Sequence, residues 1–170
     1  MKPVFADTSF YAACLMPRDA HHARAVELSH QNRATIITTE FVVVELLNFF
    51  AGTNGRATAT HFVRSLRSDP DTIIVAATNQ LIERGFDLFA KRPDKEWSLT
   101  DCISFVVMEE HGVTEALTSD ADFAQAGFRA LLHNLHASCA DQESGGALRR
   151  GLRHRTWGIC SSCGLRYPEG

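Results

Sequence analysis

Short apolar runs alternate with helical stretches along the first 135 residues, and this alternation narrows the possible folds more than any other feature of the chain. The runs are Pro3–Ala6, Thr35–Thr38, Thr72–Val75, Glu115–Thr118 and Arg129–Leu132. Between them, apolar residues recur at helical spacing over Ser9–Leu15, Asp19–Asn32, Glu40–Phe50, Arg56–Arg67, Asn79–Lys91, Leu99–His111 and Asp122–Ala126. In the second of these, Ala23, Val26 and Leu28 mark the expected buried side. Strands of this kind, separated by helices of roughly 10–15 residues, build βαβ units and a parallel sheet covered on both faces. The expected class is therefore α/β. Val42, Val43 and Val44 favour a strand locally, but the apolar stretch from Glu40 to Phe50 is too long for one and is read as helix. Gly52 and Gly112 mark helix ends.

After about Leu135 the periodicity stops. Residues 136–170 contain Ser144-Gly145-Gly146 and the Arg-rich run Arg149–Arg155, and they read as an irregular, disordered tail. Within it, Cys160-Ser161-Ser162-Cys163 is half of a zinc-ribbon pattern. A structural zinc needs four ligands, no second Cys pair exists, and the stretch is read as unstructured. The domain organisation is thus a folded unit over 1–135 followed by a tail.

Charge and cysteine narrow the function. Residues 1–135 carry 12 basic and 17 acidic side chains, a net of −5, and the tail carries five Arg against three acids. A generally basic nucleic-acid-binding surface is excluded, so any polyanionic partner must meet a local basic patch or a bound cation. Five Cys, with Cys14 and Cys102 in apolar helical contexts, suit reduced thiols and a cytoplasmic location. No stretch approaches the ~18 apolar residues needed to cross a bilayer, and Asp7 arrives too early for a secretory signal.

Four carboxylates carry the candidate chemistry: Asp7 at the end of the first strand, Glu45 within an apolar helix, Asp101 opening another helix, and Asp120 after the fourth strand. In an open parallel sheet the ligand crevice lies beyond the carboxyl ends of the strands, where Asp7 and Asp120 meet if their strands are neighbours. Glu45 shares a helix face with Phe41, Val44 and Asn48, and Asp101 with Ser104, Phe105 and Met108; both are expected to point inward. Buried acids without matching Lys or Arg call for a cation, and an oxygen-only set suits Mg²⁺ or Mn²⁺ and disfavours zinc. Other readings of single residues stay open. Asp101 fits the third helical position of a capping box begun by Ser98, Asp7 an Asx turn, and Asp120 and Asp122 a helix N-terminus. The His21-His22 pair and the Phe residues at 41, 49, 50, 62, 86 and 89 read as helix surface and as core or interface.

Val4–Ser9, Thr39–Glu45, Trp97–Cys102 and Leu117–Phe123, together with Ala124-Gln125-Ala126-Gly127-Phe128, make the chain resemble the PIN-domain ribonucleases, and among them the VapC-type toxins of toxin–antitoxin pairs. The resemblance covers residues 1–135. It implies a three-layer α/β/α fold, Mg²⁺- or Mn²⁺-dependent endonucleolytic cleavage of RNA, a cognate antitoxin and a homodimer. It also implies Asp7, Glu45, Asp101 and Asp120 as catalytic acids. Asp7, Asp101 and Asp120 would hold the metal, and Glu45 would position it or the attacking water. Asp122, Thr8, Ser9 and Thr118 would be auxiliary. Two alternatives remain: a catalytically inactive binding module on the same fold, and a haloacid-dehalogenase-like phosphohydrolase, which would need a second Asp where Ser9 stands.

Overall fold

The computed structural model describes residues 2–52 and 55–132, and the backbone of 157–159 and 166–168. The chain begins with β1 (Val4–Ala6), α1 (Thr8–Leu15), α2 (His22–Gln31), β2 (Ile36–Thr39), α3 (Glu40–Phe49), α4 (Arg56–Ser68) and β3 (Thr72–Val75). It continues through α5 (Asn79–Lys91), α6 (Leu99–Glu110), β4 (Glu115–Leu117), α7 (Ala121–Gln125) and β5 (Arg129–Ala130). These five strands form one sheet in the order β3-β2-β1-β4-β5, every pair parallel. Strand order runs one way from β1 to β3 and then returns past β1 to β4. Right-handed crossovers therefore place α1–α4 on one face and α5–α7 on the other. The result is the expected three-layer α/β/α architecture.

The reversal leaves a crevice at the carboxyl ends of β1 and β4, the position where open α/β sheets bind ligands. Two aromatic clusters hold the layers to the sheet. On one face, Phe123 of α7 packs against Phe5 of β1 and edge-on against Phe105 of α6, at centroid distances of 6.0 and 5.0 Å. On the other, Tyr11 of α1 meets Phe62 of α4 at 5.2 Å. The first cluster bears directly on the site, because α6 and α7 carry acids at their N-termini.

Helix ends follow their capping chemistry. Gly112 (φ +63°) and Gly127 (φ +96°) adopt the left-handed conformation after α6 and α7. Val113 N–H then bonds Met108 O at 2.8 Å, and Phe128 N–H bonds Phe123 O at 2.9 Å, the paired closure of a Schellman motif. Some boundaries differ from the sequence expectation. α2 starts at His22, not Asp19, because Asp19 Oδ1 accepts from His21 N–H at 2.7 Å and forms a turn. Its buried contact is Ala25, while Ala23 is exposed. The His21-His22 pair is half-buried, not surface, and the His22 ring is bonded to Ala13 O at 2.8 Å.

Within the tail, Trp157–Ile159 (β6) pairs antiparallel with Arg166–Pro168 (β7), Gly158 opposite Tyr167. The sequence reading expects no strand there, since three-residue strands carry no detectable period. The expected disorder of 136–170 otherwise concerns residues outside those described, as does the Cys160-to-Cys163 segment.

Candidate metal and active site

Asp7 follows β1 as the N-cap of α1 and is buried, 5% exposed. Its Oδ2 accepts from Ser9 N–H at 3.2 Å, from the Ser9 hydroxyl at 2.8 Å and from the Thr118 hydroxyl at 3.0 Å. Thr118 lies just beyond β4, and its Oγ1 also accepts from Asp120 N–H at 2.9 Å. Ser9 Oγ lies 3.0 Å from Thr118 Oγ1 and accepts from Ser119 N–H at 3.0 Å. A small hydroxyl network therefore ties the end of β1 to the end of β4. Ser9 and Thr118 both bond the first acid, whereas Thr8 donates its hydroxyl to Glu45 Oε2.

Asp120 caps α7 by accepting from Asp122 N–H at 2.9 Å. Asp101 stands at the third position of α6 and completes a capping box with Ser98: its Oδ2 accepts from Ser98 N–H at 2.8 Å and from the Ser98 hydroxyl at 2.6 Å. The capping readings of Asp101, Asp120 and Asp7 are thus correct, and they coexist with convergence on one crevice. Asp101, Asp120 and Asp122 each offer a carboxylate oxygen, and these oxygens all lie within 4.8 Å of one another. Asp122 belongs to this trio, where the sequence suggested only an auxiliary role. Its rank as auxiliary comes from the resemblance, in which this position is less uniform than the other four.

Asp7 and Glu45 stand outside the trio. Asp7 is joined to it through Thr118, and Glu45 is joined to the start of α1 through Thr8. Glu45 does not point into the core as expected. It lies on the exposed side of α3 with Asn48 and Val44, the last 56% exposed. Val44, Glu45 and Asn48 share an exposed face, with Phe41 partly buried at its edge, and the buried side of α3 is formed by Val42, Val43 and Leu46 instead. Asp101 behaves as expected, with Ser104, Phe105 and Met108 all buried beside its helix face.

The electrostatics show an uncompensated site. Burial pushes the Asp101 carboxyl up to about 6; bonds from Ser98 oppose the rise, and the negative charges of Asp7 and Asp120 add to it. Asp7 is raised chiefly by burial, against its bonds from Ser9 and Thr118. Asp122 is also raised, by burial and then by the charges of Asp120 and Glu96. None of the ion pairs among the described residues involves these acids. An all-oxygen donor set, crowded and in no ion pair among the described residues, with only Lys95 nearby to ease Asp122, fits a hard divalent cation, with Asp101, Asp120 and Asp122 as the residues that could hold it.

The chain is similar to known proteins in both sequence and fold. The PIN domain family matches residues 4–129. The 23S rRNA-specific endonuclease VapC20 of Mycobacterium tuberculosis, in two strains, is 30% identical over 128 residues, covering 74% of this chain and 95% of the relative. The crystal structure of M. tuberculosis VapC20, described as a Sarcin-Ricin loop cleaving toxin, matches with a TM-score of 0.68 at 28% identity, over 74% of this chain and 95% of that one. A DNA-bound VapBC structure from Salmonella typhimurium shares the fold, with a TM-score of 0.54 at 13% identity over 76% of this chain and 97% of that chain.

Proposed function

The chain belongs to the PIN-domain family, and from that membership we propose that it is the endoribonuclease toxin of a toxin–antitoxin pair, hydrolysing RNA phosphodiester bonds with a divalent cation. The observation that carries this reading is the meeting of Asp101, Asp120 and Asp122 oxygens within 4.8 Å at the crevice between β1 and β4. Mg²⁺ or Mn²⁺ bound there supplies a nucleophilic water near neutral pH and offsets the charge of an in-line displacement at phosphorus. The chain's own residues prepare the site. Ser98 and the first turn of α6 hold the Asp101 carboxylate in place, and Thr118 sets Asp7 and the backbone of Asp120 in one register. Asp7 would contribute a further negative charge toward the cation, and Glu45, held by Thr8, would help position the cation or the attacking water. The products would be a 5′-phosphate and a 3′-hydroxyl.

The VapC20 similarity makes 23S ribosomal RNA the first substrate to test. The partners proposed are RNA, a cognate antitoxin and a second copy of the chain. Exposed Val44 and Phe49 on α3, and Phe86 and Phe89 on α5, supply apolar surface for protein partners. None of the helices among the described residues is long and apolar enough to cross a membrane, and we place the activity in the cytoplasm, where the RNA is. Incubating the purified chain with ribosomal RNA tests the reading. We expect cleavage with Mn²⁺ or Mg²⁺, none with EDTA, and a loss of at least about 100-fold for Asp120→Asn or Asp101→Asn, on the scale of removing a group that stabilises developing charge. Intact RNA in the presence of Mn²⁺, or an Asp120→Asn variant as fast as the parent, would overturn it.

A further inference from the structure

An acidic domain that cuts a polyanion needs fixed positive charge close to the cut. With a net of −5 over residues 1–135, general attraction cannot supply it. Arg56 on α4 turns back to the Ala51 carbonyl. Lys95 is placed differently. Its Nζ donates to Gln125 Oε1 at 3.1 Å, and Gln125 Nε2 donates to Asp122 Oδ1 at 3.0 Å. One glutamine side chain thus separates an ammonium group from the acid trio.

The lysine is held there by the turn before α6. Its backbone N–H donates to Arg92 O at 3.0 Å. Arg92 grips Asp94 through Nε and Nη2, both at 2.9 Å, and its guanidinium lies 4.7 Å above the Trp97 ring. Trp97 is buried and packs edge-on against Phe105 at 5.0 Å, with Lys95 Nζ 5.9 Å from the same ring. Ser98, which presents Asp101, is the next residue, so one short segment fixes both a cation and a site acid. Among the described residues Lys95 makes no ion pair, and the nearby Asp94 carboxylate is already occupied by Arg92.

We propose, on the reading above that these acids cut RNA, that Lys95 binds a backbone phosphate neighbouring the one that is cut, with Gln125 setting the spacing between that phosphate and Asp122. Lys95 is then a substrate-binding residue, and Gln125 a positioning residue that acts through it. A phosphate contact contributes affinity and salt dependence without reading sequence.

The test measures binding, so that it stands apart from cleavage. A 23S ribosomal RNA transcript is titrated with the full chain carrying Asp120→Asn, alone and combined with Lys95→Ala or Lys95→Arg, across roughly 50 to 200 mM KCl. Loss of one phosphate contact should weaken binding by about 3- to 10-fold and shrink the slope of log affinity against log salt by about 0.7 to 0.9 with Lys95→Ala, while Lys95→Arg keeps both. An unchanged affinity and slope in Lys95→Ala, or no binding by any form, overturns the proposal. A lowered melting temperature with an unchanged slope does so too, because it assigns Lys95 to the fold alone. If the parent chain binds with the expected slope but leaves RNA intact with Mn²⁺, the nuclease reading fails and the phosphate contact survives.

Discussion

The Oδ2 atom of Asp101 accepts two hydrogen bonds from Ser98, and the same carboxylate contributes an oxygen to the trio with Asp120 and Asp122. The helix cap fixes the rotamer, so the acid is held toward like charges before any cation arrives. The energetic consequence has a definite sign. The ordinary value of 3.8 is raised to about 6 in the fold, so between those values the folded state holds more protons than the unfolded one. Stability without metal therefore falls as pH rises from about 4 to about 6, and Asp7, also raised, adds in the same direction. We expect the melting temperature in EDTA to drop across this interval for the parent chain and to drop less for Asp101→Asn, whose amide still caps α6. Added Mn²⁺ should flatten the drop in the parent chain. Parallel melting curves for the two chains in EDTA would count against it. At this scale the sequence was largely legible, because a carboxylate such as Asp101 stands beside positions that are otherwise apolar. The direction of Glu45 was not, since α3 is apolar on both sides and its period does not say which face meets the sheet.

The elements hold the acids through close packing between α5, α6 and α7. A Cβ on Gly85 of α5 would collide with the Ile103 side chain and come within 3.3 Å of the Ile103 backbone on α6. Gly85→Ala should therefore push α6 outward and destabilise the fold by about 1–3 kcal/mol, read as a lower midpoint in urea. Because Asp101 opens α6, Mn²⁺ affinity should fall in the same variant. A midpoint at or above that of the parent would show that the two helices are not in contact as described. Helix existence was legible throughout, including α3 despite its three consecutive valines, because its apolar run is too long for a strand and because a capping residue such as Ser98 and a terminator such as Gly112 act locally. The close α5–α6 approach was not, since a glycine inside a helix looks the same in sequence whether it faces solvent or a neighbouring backbone.

For the whole molecule, the buried core draws on residues from Val4 to Leu132. The last of these is tied to the site, as Leu132 N–H donates to Thr118 O at 3.1 Å. We propose the 1–135 unit as the complete nuclease domain. A chain ending at Leu135 should unfold in one cooperative transition and retain Mn²⁺-dependent cleavage within about threefold, since the family match spans residues 4–129. A broad, non-cooperative melt would disprove this. Strand direction could be read from the strand–helix alternation. Strand order could not, because the reversal that sets β4 beside β1 depends on contacts over a hundred residues apart, which no local pattern encodes. That reversal also has a temporal meaning. The acids arrive at positions 7, 45, 101, 120 and 122, and β1 finds its β4 neighbour only near the end of the domain. The candidate site is therefore completed only once residues 120 and 122 have been added, so a chain interrupted before them lacks two of the three acids that meet there.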